Sequence, residues 1–436
     1  MSSNSLSNNK IGFWTVFTIV VSAQIGSAVL MQPAYLAKYG LLSLAGLAIA
    51  TIGAITLALM FSKLCTWVPK TGGPHAFAQE AFGNSAAFFT GWTYWIVSWV
   101  SSTTVVLSAV GYIMPIIGIN SSPFIKVLLG IALISGITAI NFRGLKFAGR
   151  AEIILWILKA IPLLIVPIIG LYFFNINNFS VAPEVASLGT PTILSSTTLL
   201  LLWGFVGLET ATAAAGSVEN ASKTVPRAVI FGTIFVALLY VINSIGIMGI
   251  IPGAQLANSV APYADAAQFI FGGNLYLIIS FISFIVLFGT LNAWVLTSGQ
   301  IALGLAQDNL MPAIFAKKNK FDAPVWGLTL SCLGTIALLI LTASESLADQ
   351  VVSIVKISTT AFLLVYAICC LAFFKLLFNK KEDFSKIIYP LLYGSLALIF
   401  CSWMIYKAEL NELLIASLFT LSGVPFYLYY KIKKNK

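Results

Sequence analysis

The chain has 436 residues, 59% of them hydrophobic and only 9% charged, with a formal net charge of +10 at neutral pH. Soluble domains carry roughly 25% charged residues, so this balance excludes a water-soluble enzyme or binding module and defines an integral membrane protein. The basic surplus would suit a polyanion by number alone, but its placement along the chain, described below, argues against a nucleic-acid partner.

The start, "MSSNSLSNNK", is polar with one cation, Lys10. The apolar run at 12–36 is too long for the hydrophobic core of a cleaved leader and lacks a small-residue cleavage site, so it is read as a retained first span. Further apolar runs follow at 41–62, 86–114, 123–141, 151–174, 193–215, 227–250, 274–303, 324–342, 350–374, 388–406 and 411–430. A helix crosses the hydrocarbon core with about 20 residues. The runs are continuous rather than alternating, which favours helices over an outer-membrane barrel. The expected fold is therefore an all-α membrane protein with twelve transmembrane helices forming a single domain over 1–436. No stretch between the runs is long enough for a soluble domain.

With the N-terminus in the cytoplasm, Lys10, Lys63, Lys70, Arg143, Lys146, Arg150, Lys223, Arg227, Lys317, Lys318, Lys320, Lys375, Lys380, Lys381 and Lys386 fall inside, together with the C-terminal lysines. Only Lys38, Lys126 and Lys407 fall outside. This asymmetry follows the positive-inside rule, so both termini are expected in the cytoplasm of a cell with a bacterial-type inner membrane. Cys65, Cys332, Cys369, Cys370 and Cys401 lie in or beside apolar runs without metal-ligand spacing and read as small core residues. No cofactor or metal is expected.

Three charged residues remain at membrane depth: Lys159, Glu209 and Lys356. Each costs about 2.5–3.5 kcal/mol at a helix centre on insertion scales, so each is expected to face a cavity or a partner. Two apolar runs are also interrupted by small residues. The first carries "QIGSAVLMQP" (Gln24 to Pro33) and the sixth "WGFVGLE" (Trp203 to Glu209). These are corresponding positions of two five-helix halves, the pattern of an inverted-repeat secondary transporter with a midplane site. The halves are 12–174 and 193–374, with 388–430 supplying helices eleven and twelve. A broken helix exposes N–H groups at the start of its second half and carbonyls at the end of its first. Together such breaks suit the carboxylate and ammonium of an amino acid.

The stretches "LWGFVGLETATAAAGSVENASKTVPRAV" (Leu202 to Val229), "IMGIIPGAQLANSVAPYADAA" (Ile247 to Ala267) and Gly289 to Leu328 resemble the amino acid–polyamine–organocation superfamily. The resemblance is closest to its basic amino acid/polyamine antiporters, of the arginine–agmatine and ornithine–putrescine kinds. It implies that Ile25, Gly26, Ser27 and Ala28 form the unwound carboxylate-binding loop, with Ala28 replacing the family's last glycine. It implies that Trp203 occludes the substrate, with Val206 beside it, and that Trp294 is a platform for the substrate side chain, where a cation sits on the indole face. Glu209 is implied to couple gating to protonation, with Tyr94 across from it. Ser98 and Ser102 stand where the arginine exchanger has cysteine and asparagine. Lys356 falls about where that exchanger has a serine at the guanidinium, and an ammonium there would repel a cationic side chain. Lys159 resembles the lysine that replaces sodium in sodium-independent relatives. His75, the sole histidine, is a candidate pH switch with an unperturbed pKa near 6.5. The family commonly dimerises.

The expected activity is exchange of amino acids or their amine products by alternating access, with protons as a coupling partner. Lys159 and Lys356 leave open a proton-coupled symporter of neutral amino acids, and a non-transporting sensor on the same fold is a third reading. An enzyme is disfavoured because the apolar runs hold no His cluster and no Ser/His/Asp set.

Overall fold

The computed structural model describes residues 12–70, 72–118, 122–143, 162–213, 215, 218–343, 346–380 and 384–434. Helices account for almost all regular structure among them. The first span is two helices, α1 (Phe13–Gln24) and α2 (Ser27–Ala37), followed by α3 (Leu42–Trp67). A short α4 (Pro74–Phe82), absent from the apolar-run reading, precedes α5 (Asn84–Ile117) and α6 (Pro123–Asn141). The fifth run contributes α7 (Pro162–Phe173); Lys159, with Lys10, Lys146, Arg150 and Lys381, lies outside the described residues.

The sixth span is α8 (Thr190–Leu202), a tight turn at Trp203–Phe205, and α9 (Thr210–Ala213). The chain continues through α10 (Ala221–Met248), α11 (Pro262–Phe271), α12 (Leu275–Gln307), α13 (Val325–Leu341) and α14 (Leu347–Asn379). It ends with α15 (Phe384–Lys407), α16 (Leu410–Leu421) and α17 (Val424–Lys434), the last run being split in two. Among the described residues ten spans meet both the length and the apolarity needed to cross a bilayer; α13 is apolar but shorter, and of the fifth run only the part from Pro162 is described.

Local chemistry sets these limits. Pro123 opens α6 in the first turn, where a missing N–H costs nothing. Ser346 caps α14 by accepting from the Asp349 N–H at 3.2 Å. At the start of α16, Glu409 and Glu412 satisfy each other's backbone donors in a reciprocal box. Several helices outrun their apolar segments because polar residues in the flanking turns continue the backbone hydrogen-bond ladder.

Burial divides the helices by role. In the most apolar 18-residue window of each span, 78% of residues are buried in the sixth and 72% in α5. The corresponding shares are 22% in α6 and 17% in the last span. The outer helices present Leu392, Leu396, Ile399, Leu414 and Leu418 at their surfaces, an apolar face far larger than a water-soluble monomer exposes. The buried helices are tied together by polar contacts that lipid cannot replace. Asn141 Nδ2 donates to Asn292 Oδ1 at 2.8 Å, joining α6 to α12. Gln32 Nε2 donates to Ser244 Oγ at 2.6 Å, joining α2 to α10. The Tyr112 hydroxyl donates to the Leu30 carbonyl at 3.0 Å. The last two bonds fix the second half of the first span against α10 and α5.

Candidate substrate site

The α1 helix ends at Gln24 because Ile25 turns to extended backbone (φ −91°, ψ 99°) and Gly26 departs further before α2 begins at Ser27. A Cβ at Gly26 would lie 2.6 Å from Thr290 Cγ2, so the close approach of α12 requires glycine there. Among the described residues, the N–H groups of Gly26, Ser27 and Ala28 find no acceptor in the protein. They form the open N-terminus of an eleven-residue helix, a geometry suited to an anion. Ala28 takes the family glycine's place without strain because it is already helical.

The sixth span breaks differently. After the turn at Trp203–Phe205, Val206 is extended and Gly207 has φ +104°. Only glycine takes that conformation readily, and it brings Gly207 against Ala23 of the first break. Tyr240 of α10 joins the two interruptions. Its hydroxyl lies 2.7 Å from the Gln24 carbonyl and 2.8 Å from the Gly204 carbonyl. The Ile25 carbonyl accepts from Thr290 Oγ1 at 3.3 Å.

Between the breaks lies a small cavity of about 20 Å³ lined by Ala23, Gln24, Gly26, Ser27, Ala28, Val105, Trp203, Val206, Thr290 and Trp294. Gly26, Ser27, Ala28, Trp203, Val206 and Trp294 were candidates from sequence and meet here. Ala23, Gln24, Val105 and Thr290 were not. Thr290 and Val105 gave no local signal: each lies in an apolar run, and only the packing of α12 and α5 turns them inward. Ile25 contributes its carbonyl and is not among the lining residues.

Four expected substrate or gating residues lie elsewhere. Ser98 and Ser102 are buried in α5, where their hydroxyls donate to the carbonyls of Trp95 (2.7 Å) and Ser98 (3.0 Å). Hydroxyls in a helix commonly satisfy themselves this way; Val105, about one turn further on, lines the cavity instead. Lys356 does not line the cavity. Its Nζ lies 2.6 Å from Glu409 Oε1 and 3.2 Å from Glu412 Oε1 at the start of α16. Two residues later, roughly 200° around the helix, Ser358 is fully buried with no hydrogen-bond partner for its hydroxyl. The expected repulsion between Lys356 and a cationic substrate therefore disappears. His75 is buried near the start of α4 and lies 3.1 Å from Asp308 Oδ2 at the end of α12, away from the cavity.

Glu209 is fully buried beside the cavity rather than in its lining. Tyr94 donates to its Oε1 at 2.9 Å, and Tyr366 and the Gly207 N–H donate to its Oε2 at 2.6 and 3.2 Å. Three donors converge on a carboxyl group that is a pure acceptor when ionised and gains a competing O–H donor when protonated. The carboxylate thereby links α5, the sixth-span break and α14. Tyr366 is the partner that sequence reasoning missed. Its signal was a phenol inside an apolar run, since a buried tyrosine hydroxyl usually finds a partner.

A helical bundle with two interrupted spans meeting at a small cavity has the architecture of a membrane carrier. The chain belongs to the amino acid permease family, whose pattern it matches over residues 11–423. It is 29% identical over 428 residues to the putrescine transporter PotE of Haemophilus influenzae, covering 97% of both chains. It is 30% identical over 369 residues to the putrescine transporter PotE of Escherichia coli, covering 82% of both. It is also 29% identical over 338 residues to the Escherichia coli cadaverine/lysine antiporter, covering 77% of this chain and 75% of that one.

The Lys356 arrangement has a measurable consequence. Lys356→Gln leaves the buried Glu412 carboxylate without its cation and should destabilise the purified protein by roughly 1–2 kcal/mol. The substrate KM should stay within about twofold, as expected for a group outside the site. Thermal melting in detergent, with transport assayed in liposomes, checks both. A large KM change with unaltered melting would return Lys356 to the substrate.

Proposed function

We propose that the protein exchanges a basic amino acid for its amine counterpart across the inner membrane by alternating access, in the manner of ornithine–putrescine, lysine–cadaverine or arginine–agmatine exchange. Both termini are placed in the cytoplasm, on the charge asymmetry of the loops. The halves 12–174 and 193–374 act as the two inverted repeats. Protons are the coupling partner and the carrier is a homodimer, as the family resemblance implies.

The observation that carries this reading is the trio of unpaired N–H groups at Gly26, Ser27 and Ala28, opening onto a cavity walled by two indoles. A substrate carboxylate docks at the helix N-terminus. The α-ammonium meets the carbonyls of Ile25 and Gly204, each of which keeps a second lone pair after its present hydrogen bond. A side-chain cation lies against the faces of Trp203 and Trp294. The names of the relatives support amines and basic amino acids as cargo.

Trp203 acts as the occluding gate, and the Tyr94–Glu209–Tyr366 cluster as the latch behind it. Protonating Glu209 weakens its acceptance from two hydroxyls and one N–H, freeing the sixth span from α5 and α14. One feature favours neutral cargo and proton symport instead: among the described residues the cavity lining contains no carboxylate.

Counterflow in proteoliposomes separates the two. Labelled lysine, ornithine or arginine should leave rapidly only when an amino acid or diamine is supplied on the other side. Movement driven by a pH gradient alone would support symport. In the same assay Trp203→Leu should lower exchange by about tenfold, equivalent to about 1.4 kcal/mol in the barrier, while affecting binding far less. Equal losses in both would remove Trp203 from the gate. Glu209→Gln should flatten the pH dependence of exchange, because the amide has no carboxyl proton to gain or lose. A wild-type profile retained in that variant would transfer the pH response to the His75–Asp308 pair.

A further inference from the structure

A second cavity, of about 50 Å³, lies further along the first span. Its walls include Tyr35, Lys38, Ser259, Asp349, Val351 and Val352. Because α2 lines both cavities, Ala28 at the inner one and Met31 at the second are separated by only three residues, a rise of about 4.5 Å. Lys38 is one of the few cations expected on the outer side, so this cavity stands between the outside and the midplane site.

Its two charged side chains come from different elements, Lys38 from the end of α2 and Asp349 from the first turn of α14. Neither belongs to an ion pair among the described residues. Lys38 Nζ rests 5.3 Å from the Tyr39 ring centroid, and Asp349 Oδ2 accepts from Ser346 Oγ at 2.6 Å. The midplane cavity, by contrast, has no charged side chain in its lining among the described residues.

We infer that the second cavity is an outer holding site for an amino-acid zwitterion, with Lys38 taking the carboxylate and Asp349 an ammonium. The inference rests on the exchange reading and adds a preference that the midplane site does not supply. A basic amino acid satisfies both walls. A diamine presents an ammonium at each end, so Asp349 attracts one while Lys38 repels the other. From outside, the site therefore favours the amino acid, and exchange is biased toward amino acid inward and diamine outward.

Sidedness provides the test. In oriented proteoliposomes, Lys38→Gln should raise the outside KM for lysine about threefold, the scale of an exposed ion pair, and leave that for putrescine unchanged or lower. Asp349→Asn should raise both. KM values measured from the inner face should not move. Equal changes on both faces, or none, would overturn the site.

A readout independent of transport uses Ala348→Cys, whose position lines the cavity, in a Cys332→Ser background, because Cys332 is the one described cysteine that is not buried. Lysine outside should slow labelling of the introduced thiol by a membrane-impermeant maleimide, and Lys38→Gln should abolish that protection. Labelling indifferent to lysine would overturn the holding site even with exchange intact. Protection without any exchange by the unmodified protein would overturn the transport reading and leave the site standing.

Discussion

Everything at the centre of this molecule depends on one phenol. Breaking a helix inside a membrane leaves carbonyls without donors, and no water is present to satisfy them, so each would cost several kcal/mol. Here the Gln24 carbonyl at the first break and the Gly204 carbonyl at the second share the single proton of the Tyr240 hydroxyl. Tyr240 is fully buried on an unbroken helix, so the two interruptions share one fixed reference. Gly204 must lack a side chain for the same reason, since a Cβ there would come within 2.4 Å of the Tyr240 ring. The breaks are thus one unit rather than two local defects.

That unit separates two tasks. Backbone groups and indole faces line the cavity, while the charged chemistry stands behind or beside it. Glu209 is held by hydroxyls and an N–H instead of a cation, an arrangement whose strength depends on its charge. Lys356 with Glu409 and Glu412 ties α14 to α16 at a distance from the cavity. Helix α14 therefore carries both a partner of the latch, Tyr366, and an anchor to the outer helices. A movement that releases Glu209 reaches α14 through Tyr366, and α14 is held both by the ion cluster and by buried apolar packing of Phe362 and Phe373.

The twelve spans and both breaks were legible in the sequence because membrane thickness sets helix length and because glycines beside polar residues stand out in apolar runs. The glutamate at membrane depth and its tyrosine partner on α5 were legible too. The direction in which Lys356 points was not. Hydropathy places it at depth but leaves open which face of α14 turns inward, and its partners lie more than fifty residues away. Ser98 and Ser102 misled because a hydroxyl on a membrane helix looks available until its own carbonyl ladder is drawn. Tyr240, Tyr366 and Thr290 are each one of several polar side chains in their runs, and only the packing of α10, α14 and α12 singles them out for the breaks and for Glu209. Lys159 lies outside the described residues.

The central claim is that Tyr240 holds the two breaks together as one site, and amide hydrogen exchange on Tyr240→Phe tests it most directly. The substitution keeps the ring that packs beside Phe205 and removes only the hydroxyl. The account predicts faster exchange in peptides spanning 20–30 and 200–210 together, with substrate protection of both weakened in parallel. Acceleration of one segment alone, or of neither, would contradict it and make the breaks independent features of the fold.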